Sequence, residues 1–411
     1  MKKIQIIPSD LLKNSSIKIS GSKSESNRVL ILNSIYKNIK VSNLSKSDDT
    51  IVLKSALDNL NEKIDIHHAG TAMRFLTAYL STIKGKKFTL TGSKRMKDRP
   101  IGILVKALKD LGFRINYLEK NGYPPLKIFG NKGQISNINL DSNVSSQFIS
   151  ALILIAPTFE KGLTIKLEGN IISKPYINLT LQVLKKIGIP YSFKKNIIKI
   201  KNVKKISQND YLIESDWTSL SYFYSIVAVN KKINIKLNNF FTDSFQGDSI
   251  LSKIFIDLGV ETKFLNGSEI LLSPIKKYKK PSNLSLNLID TPDLAQTIAV
   301  TCMALRIPVK ITGLQTLKIK ETDRIVALNN ELSKLGAKIK YDDSSIAIYP
   351  PKEIKKNINT DTYNDHRMAL SFAPLGLIVP IIINDPNVIT KSFPEYWNNL
   401  SQLGFNIKNL N

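Results

Sequence analysis

The sequence predicts an α/β protein of six repeated units, each about 70 residues long, grouped three to a domain. Three observations predict it. Six amphipathic segments close on a glycine or asparagine that tolerates a left-handed cap: Leu57–Asn61, Leu108–Gly112, Leu184–Gly188, Phe255–Gly259, Leu332–Gly336 and Leu400–Gly404. Six others, with polar heads near Ser24, Gly70, Ser145, Asp216, Pro292 and Asp365, run into helices that are apolar on most sides. The distances from head to following cap are 37, 42, 43, 43, 44 and 39 residues, and that regularity marks a repeat. Each unit reads as a buried helix, strand material, a surface helix and, usually, a hairpin such as residues 337–341 with 345–349.

A chain of 411 residues, 42% hydrophobic, is too long for one core and suits two domains. Its longest apolar stretch, 372–383, is interrupted by two prolines and a glycine and is too short to cross a bilayer. Met1–Asp10 lacks the apolar region of a secretory signal, so a cytoplasmic protein is expected, with no membrane partner. The single Cys302 allows neither an internal disulfide nor a thiolate metal site, and three histidines offer no metal centre; no metal or cofactor is expected. A net charge of +26 invites a nucleic-acid reading. Against it, only eight of the 59 basic residues are arginine and the lysines are scattered from end to end, as on a solvated surface. Each arginine, with its planar fork for carboxylate or phosphate, is then worth inspecting.

The helix heads carry the functional argument, because helix N-termini present free N–H groups and partial positive charge. If the helices within a domain lie parallel, several such ends converge, which predicts a polyanionic ligand between the domains. In the first head, Ser22 and Glu25 form a capping-box pattern, while Lys23 and Arg28 are cations that the helix dipole disfavours by about 0.3–1 kcal/mol each. A bound anion would reverse that penalty. In the second, Gly70 lets a ligand approach the backbone closely, and Arg95–Arg99 comes next with three cations in five residues. Arg99, before Pro100, is held extended. Each feature also suits an ordinary helix start or an exposed loop.

The third head, Asn143–Gln147, offers the Ser145 and Ser146 hydroxyls and the Gln147 amide, of which capping needs one. Ser173–Tyr176 adds further hydrogen-bonding groups. Asp293 stands in a first helical turn, where electrostatics favours an acid anyway. Lys320 and Arg324, four apart near the start of a helix, form a like-charge pair that is destabilising unless an anion occupies it. Glu321 between them is a candidate proton carrier. Asp365-His366-Arg367 repeats the theme, and Lys391 adds another cation.

Taken together, these motifs resemble the 5-enolpyruvylshikimate-3-phosphate (EPSP) synthase family along nearly the whole chain. The resemblance rests on Gly21–Ser24 with Arg28, Ala69–Arg74, Arg95–Pro100, Ser145–Gln147, Ser173–Tyr176, Lys320–Arg324 and Asp365–Arg367, in that order. It implies a two-domain inverse α/β barrel of six βαβαββ repeats, three per domain, with residues 1–20 and 216–411 in one domain and 21–215 in the other. It also implies transfer of the enolpyruvyl group of phosphoenolpyruvate to the 5-hydroxyl of shikimate 3-phosphate, on the shikimate route to chorismate and aromatic amino acids. By motif, Lys23, Ser24, Arg28, Ser145, Ser146, Ser173 and Tyr176 would hold shikimate 3-phosphate. Gly70, Arg99, Gln147, Arg324, His366, Arg367 and Lys391 would serve phosphoenolpyruvate and its surroundings, with Lys23 and Lys320 near both ligands. Asp293 would accept the hydroxyl proton and Glu321 protonate the methylene carbon, with Lys23 completing the implied catalytic set. A monomer is expected.

Two positions depart from the family pattern: His68 stands where asparagine is usual, and Phe75 where proline is common. The related UDP-N-acetylglucosamine enolpyruvyl transferases share the fold and carry a reactive cysteine or aspartate on a mobile loop. Here Cys302 lies in an apolar helical segment, 298–305, and reads as a core thiol.

Overall fold

Repetition in the sequence becomes repetition in hydrogen bonding. The computed structural model describes residues 2–141, 145–169, 171, 173–207 and 210–410. The chain forms two units, Met1–Ser20 with Glu214–Asn411, and Gly21–Ile213.

In the unit that holds both termini, one sheet shows the pattern plainly. Leu284–Asn287 pairs parallel with Val309–Thr312, which pairs antiparallel with Ile346–Tyr349, itself paired with Lys338–Tyr341. The spatial order is first, second, fourth, third, as a βαβαββ unit requires when a helix crosses over between parallel strands and a hairpin closes the edge. A second sheet has the same order but takes its first strand, Asn14–Ile17, from before the other unit and the rest from after it. The third takes its fourth strand, Lys3–Ile7, from the N-terminus, inserted between Ile381–Asn384 and Asn406–Leu410. Trp217–Asn230, Ala295–Leu305 and His366–Phe372 are the interior helices, and Ala295–Leu305 is buried on every side because no residue in it is charged. Their remaining hydroxyls meet each other: Ser221 Oγ lies 2.9 Å from Thr297 Oγ1, which lies 3.3 Å from Ser371 Oγ. Where the chain re-enters this unit, the buried Glu214 accepts from Trp217 Nε1, the Phe241 amide, Ser244 Oγ and Gln246 Nε2.

The Gly21–Ile213 unit has two sheets of the same order, built on Lys63–Asp65 and Asn137–Asp141. Its remaining repeat is abbreviated: among the described residues, Lys40–Ser42 pairs only with Asp210–Leu212, in parallel, and no hairpin comes after it. Expectation and structure part at the cap of the same repeat. Gly112, Gly188, Gly259, Gly336 and Gly404 all take positive φ, whereas Asn61 does not, and its helix ends earlier, at Asp58. With no left-handed cap to turn the chain into a hairpin, it passes directly to Lys63–Asp65. The interior helices here are Lys23–Tyr36, Gly70–Ser81 and Ser146–Ile155.

Candidate active site

In the unit that holds both termini, the Pro292 and Asp365 heads and the start of the Arg324 helix deliver their side chains to one cluster. Pro292 opens a 3-10 turn that carries Asp293 into the start of the Ala295 helix. Asp365 caps the His366 helix, its Oδ1 accepting from the Arg367 amide at 2.9 Å. Asp323 caps the helix that begins at Arg324, so Lys320 lies just before that helix, at the end of a 3-10 turn.

Arg324 is the hub. It donates from Nε to Asp365 Oδ2 at 2.6 Å, from Nη1 to Asp293 Oδ1 at 2.9 Å and from Nη2 to Glu321 Oε2 at 2.9 Å. Arg367 Nη2 reaches Asp293 Oδ2 at 2.9 Å, Lys320 Nζ lies 3.5 Å from Asp293 Oδ1, and Lys391 Nζ lies 2.7 Å from Glu321 Oε1. The anion that the Lys320–Arg324 pair calls for is thus supplied from within the protein, by Asp293 and Glu321. Four cations still face three carboxylates, an excess of one positive charge that favours an anionic guest. His366 is buried, with Nδ1 3.6 Å from Asp365 Oδ1.

The same proximity sets protonation. Burial pushes the Asp293 carboxyl up, but Arg367, Lys320 and Arg324 outweigh it and hold it well below the usual range. Burial pulls the Lys320 ammonium down, with Asp293 only partly offsetting it. A further carboxyl that sequence reading missed, Asp248, accepts from the Thr218 hydroxyl in the first turn of the Trp217 helix. Burial raises it to about 7, with the Thr218 bond opposing and the charge of Asp293 adding to the rise.

In the other unit, the Ser22 hydroxyl caps the Lys23 helix, accepting from the Glu25 amide at 3.5 Å, and Lys23 and Ser24 are half-buried in its first turn. Arg28 is buried and turned inward. Its Nε donates to Thr180 Oγ1, Nη1 to the Ser24 carbonyl, and Nη2 to Ser150 Oγ and the Tyr176 carbonyl. It also lies 5.4 Å from the Phe75 ring centroid, so Phe75 supplies a cation–π face. Ser145 is exposed and caps the Ser146 helix, accepting from the Gln147 amide; Gln147 Nε2 reaches Thr71 Oγ1 at 3.5 Å, which brings that head beside the Gly70 head. Asn143 and Val144 lie outside the described residues. Ser173 is buried in a left-handed conformation before the Lys174 helix, with Tyr176 half-buried in its first turn.

Gly70 is approached closely, but by a side chain of the protein. A Cβ at Gly70 would sit 2.5 Å from Arg99 Nη1. Arg99 is placed there by Arg74, to which the sequence motif gave no role: its Nη1 donates to the Gly70 carbonyl and its Nη2 to the Pro100 carbonyl, fastening the loop to the helix.

Residues 59–400 match the family described as EPSP synthase (3-phosphoshikimate 1-carboxyvinyltransferase). A 3-phosphoshikimate 1-carboxyvinyltransferase of Bacteroides fragilis is 45% identical, over 95% of this chain and 96% of its own. The chain belongs to the EPSP synthase family. A relative of the same name from Vibrio vulnificus is 34% identical over 95% of this chain and 96% of its own. Among solved structures, EPSP synthase from Acinetobacter baumannii superposes with a TM-score of 0.81 at 19% identity, covering all of both chains. The enolpyruvyl transferase NikO from Streptomyces tendae superposes at 0.76 and 12%, covering 100% of this chain and 99% of its own. The architecture is accordingly the two-domain inverse α/β barrel of EPSP synthases. Cys302, the reactive-residue question raised by the related sugar-nucleotide enzymes, is a buried thiol pushed up by burial to about 12, as a core residue should be. Among the described residues no helix is long and apolar enough to cross a membrane.

Proposed function

We propose that the chain transfers the enolpyruvyl group of phosphoenolpyruvate to the 5-hydroxyl of shikimate 3-phosphate, with Asp293 and Glu321 moving the protons. The observation that carries this reading is that both carboxylates sit in one cation cluster, each held between two or more basic groups. Lys320, Arg324, Arg367 and Lys391 would receive the carboxylate and phosphate of phosphoenolpyruvate, with His366 next to Asp365 in the same cluster; Arg99, Gly70 and Gln147 are assigned to that substrate by motif. Lys23, Ser24, Arg28, Ser145, Ser146, Ser173 and Tyr176 would serve shikimate 3-phosphate; the bonds of Arg28 to the Ser24 and Tyr176 carbonyls support a part in ordering those residues as well.

The chemistry is addition, then elimination. Asp293 accepts the proton of the attacking hydroxyl as its oxygen bonds to the enol carbon, and Glu321 gives a proton to the methylene, making a methyl group on a tetrahedral ketal. Elimination then breaks the bond to phosphate and returns a proton from that methyl. Such positioned proton transfers typically contribute about 10²–10⁴-fold each. Asp293 is a weak base while Arg367, Lys320 and Arg324 surround it. Anionic substrates that engage those cations would restore its basicity. The buried single Cys302 suits a reducing cytoplasm, where the chain would act as a monomer.

The deciding assay is phosphate release from phosphoenolpyruvate, with shikimate 3-phosphate or UDP-N-acetylglucosamine as acceptor. Release with the first alone is expected. Release with the sugar nucleotide alone would overturn the assignment.

A further inference from the structure

Glu331 lies two turns along the Arg324 helix and bonds to none of the residues assigned to the reaction, yet its carboxylate is shut off from solvent. It is fully engaged. Oε1 accepts from the Tyr363 hydroxyl at 2.5 Å, Oε2 accepts from the Asp361 amide at 3.1 Å, and Lys334 Nζ donates to both oxygens at 2.9 Å. Lys334 also reaches Asp361 Oδ2 at 2.8 Å, and from the neighbouring strand Asn384 Nδ2 donates to Asp361 Oδ1 at 2.7 Å. Residues 361–363 are therefore gripped from a helix on one side and a strand on the other.

The gripped residues lead into a left-handed turn. Tyr363 and Asn364 both take left-handed backbone angles, φ 53° and 54°, immediately before Asp365. Asparagine tolerates that conformation, but for a bulky residue such as tyrosine it is an outlier that surrounding contacts must hold. The turn it makes, closed by the Asp365 amide on the Thr362 carbonyl, sets the direction from which Asp365 meets Arg324 and Arg367 meets Asp293.

We infer that Glu331 is a positioning residue for the reaction: through the Tyr363 hydroxyl and the Asp361 amide it fixes the turn that delivers Asp365 and Arg367 to the cation cluster. The inference rests on the proposed transferase function for its catalytic consequence, and on geometry alone for the brace. The alternative is a merely structural polar contact, which would affect stability and leave the site alone.

Tyr363→Phe removes one hydroxyl and is the primary test, with Glu331→Gln, which keeps an acceptor for Tyr363, as the milder companion to Glu331→Leu. Hydrogen exchange, tracked peptide by peptide, is expected to quicken over 361–370 in Tyr363→Phe and to stay unchanged elsewhere. kcat/KM for phosphoenolpyruvate is expected to fall roughly ten- to hundredfold, as a small misplacement of a charged group does. Loosening Arg367 from Asp293 is also expected to move the acid limb of the pH–rate profile upward, which lost stability does not do. Glu331→Gln should retain more activity than Glu331→Leu. Unchanged exchange in Tyr363→Phe overturns the brace, and faster exchange with wild-type kinetics overturns its role in the site. A rise in exchange spread over the whole chain, with activity falling only in step with folded protein, assigns the contact to stability and also overturns it. Wild-type protein without transfer activity defeats the transferase proposal alone, and the exchange contrast still decides the brace.

Discussion

Arg324 Nε donates to Asp365 Oδ2 at 2.6 Å, and neither side chain reaches solvent. The pair joins two repeats of one unit, and the same guanidinium serves Asp293 and Glu321. Removing one partner of such a buried pair leaves uncompensated charge, at a cost of about 3–5 kcal/mol. Arg324→Met is therefore expected to lower the free energy of urea unfolding by that order. Arg324→Lys should recover little of it, because one ammonium cannot present a planar fork to three carboxylates. A wild-type unfolding midpoint in either variant would contradict this account.

Glu321→Gln keeps the side chain's shape and one oxygen to accept from Arg324 or Lys391, though not from both, while removing the titratable proton. Binding of both substrates, measured by calorimetry, is expected to change little. Turnover should drop by about 10²–10⁴. Wild-type turnover would remove Glu321 from the mechanism.

Gly70→Ala tests the Arg99 placement. The new methyl would fall 2.5 Å from Arg99 Nη1, and the guanidinium, as the free end of a flexible side chain, would move before the helix does. Gly70 opens its helix without a positive φ, so its backbone accepts alanine and the melting temperature should hold. The expected signature is a KM for phosphoenolpyruvate raised roughly tenfold or more, as loss of one charge-assisted contact implies, with the KM for shikimate 3-phosphate nearly unchanged. Equal KM values in variant and wild type would show that Arg99 does not meet that substrate.

Asp293→Asn should reveal the acid side of stability. The folded-state carboxyl is held well below its ordinary 3.8, so the stabilisation it confers is complete above that value and is lost as pH falls through it toward the folded value. Unfolding measured from pH 7 down to pH 2 is expected to show wild type and variant converging at the acid end. A constant gap across that range would mean Asp293 is not held ionised by its neighbours.

Asp248 has the opposite sign. Its folded value is raised from 3.8 to about 7, so the folded state favours the protonated form and stability drains away as pH climbs between those values. Asp248→Asn keeps an acceptor for Thr218 and cannot ionise. Its stability relative to wild type should grow from about pH 4 to pH 7 and level off above; a pH-independent difference would refute the raised value.

The heads were legible because helix starts have a chemical signature. Ser22, Ser145, Asp216 and Asp365 all cap interior helices, each accepting from a first-turn amide as its residue type suggests. The roles of Arg74 and Asp248 were not legible. Arg74 stands out as a lone charge in an apolar helix, but its use depends on Pro100 being brought back beside Gly70. Arg28 was legible as an important cation, but its donors point to Thr180 and Ser150, 152 and 122 residues away in sequence, a direction that no spacing encodes.

Periodicity and capping residues alone determined the six-unit plan, the interior helices and their polar starts, because these depend on contacts within a few residues of chain. Only the tertiary structure decided that the first repeat would lose its hairpin, that the strand Lys3–Ile7 would complete the last sheet, and that Asp293 and Glu321 would fill the role of the anion demanded by Lys320 and Arg324. Those outcomes depend on which distant groups share one low-dielectric space, where a charge must find its partner whatever their separation along the chain.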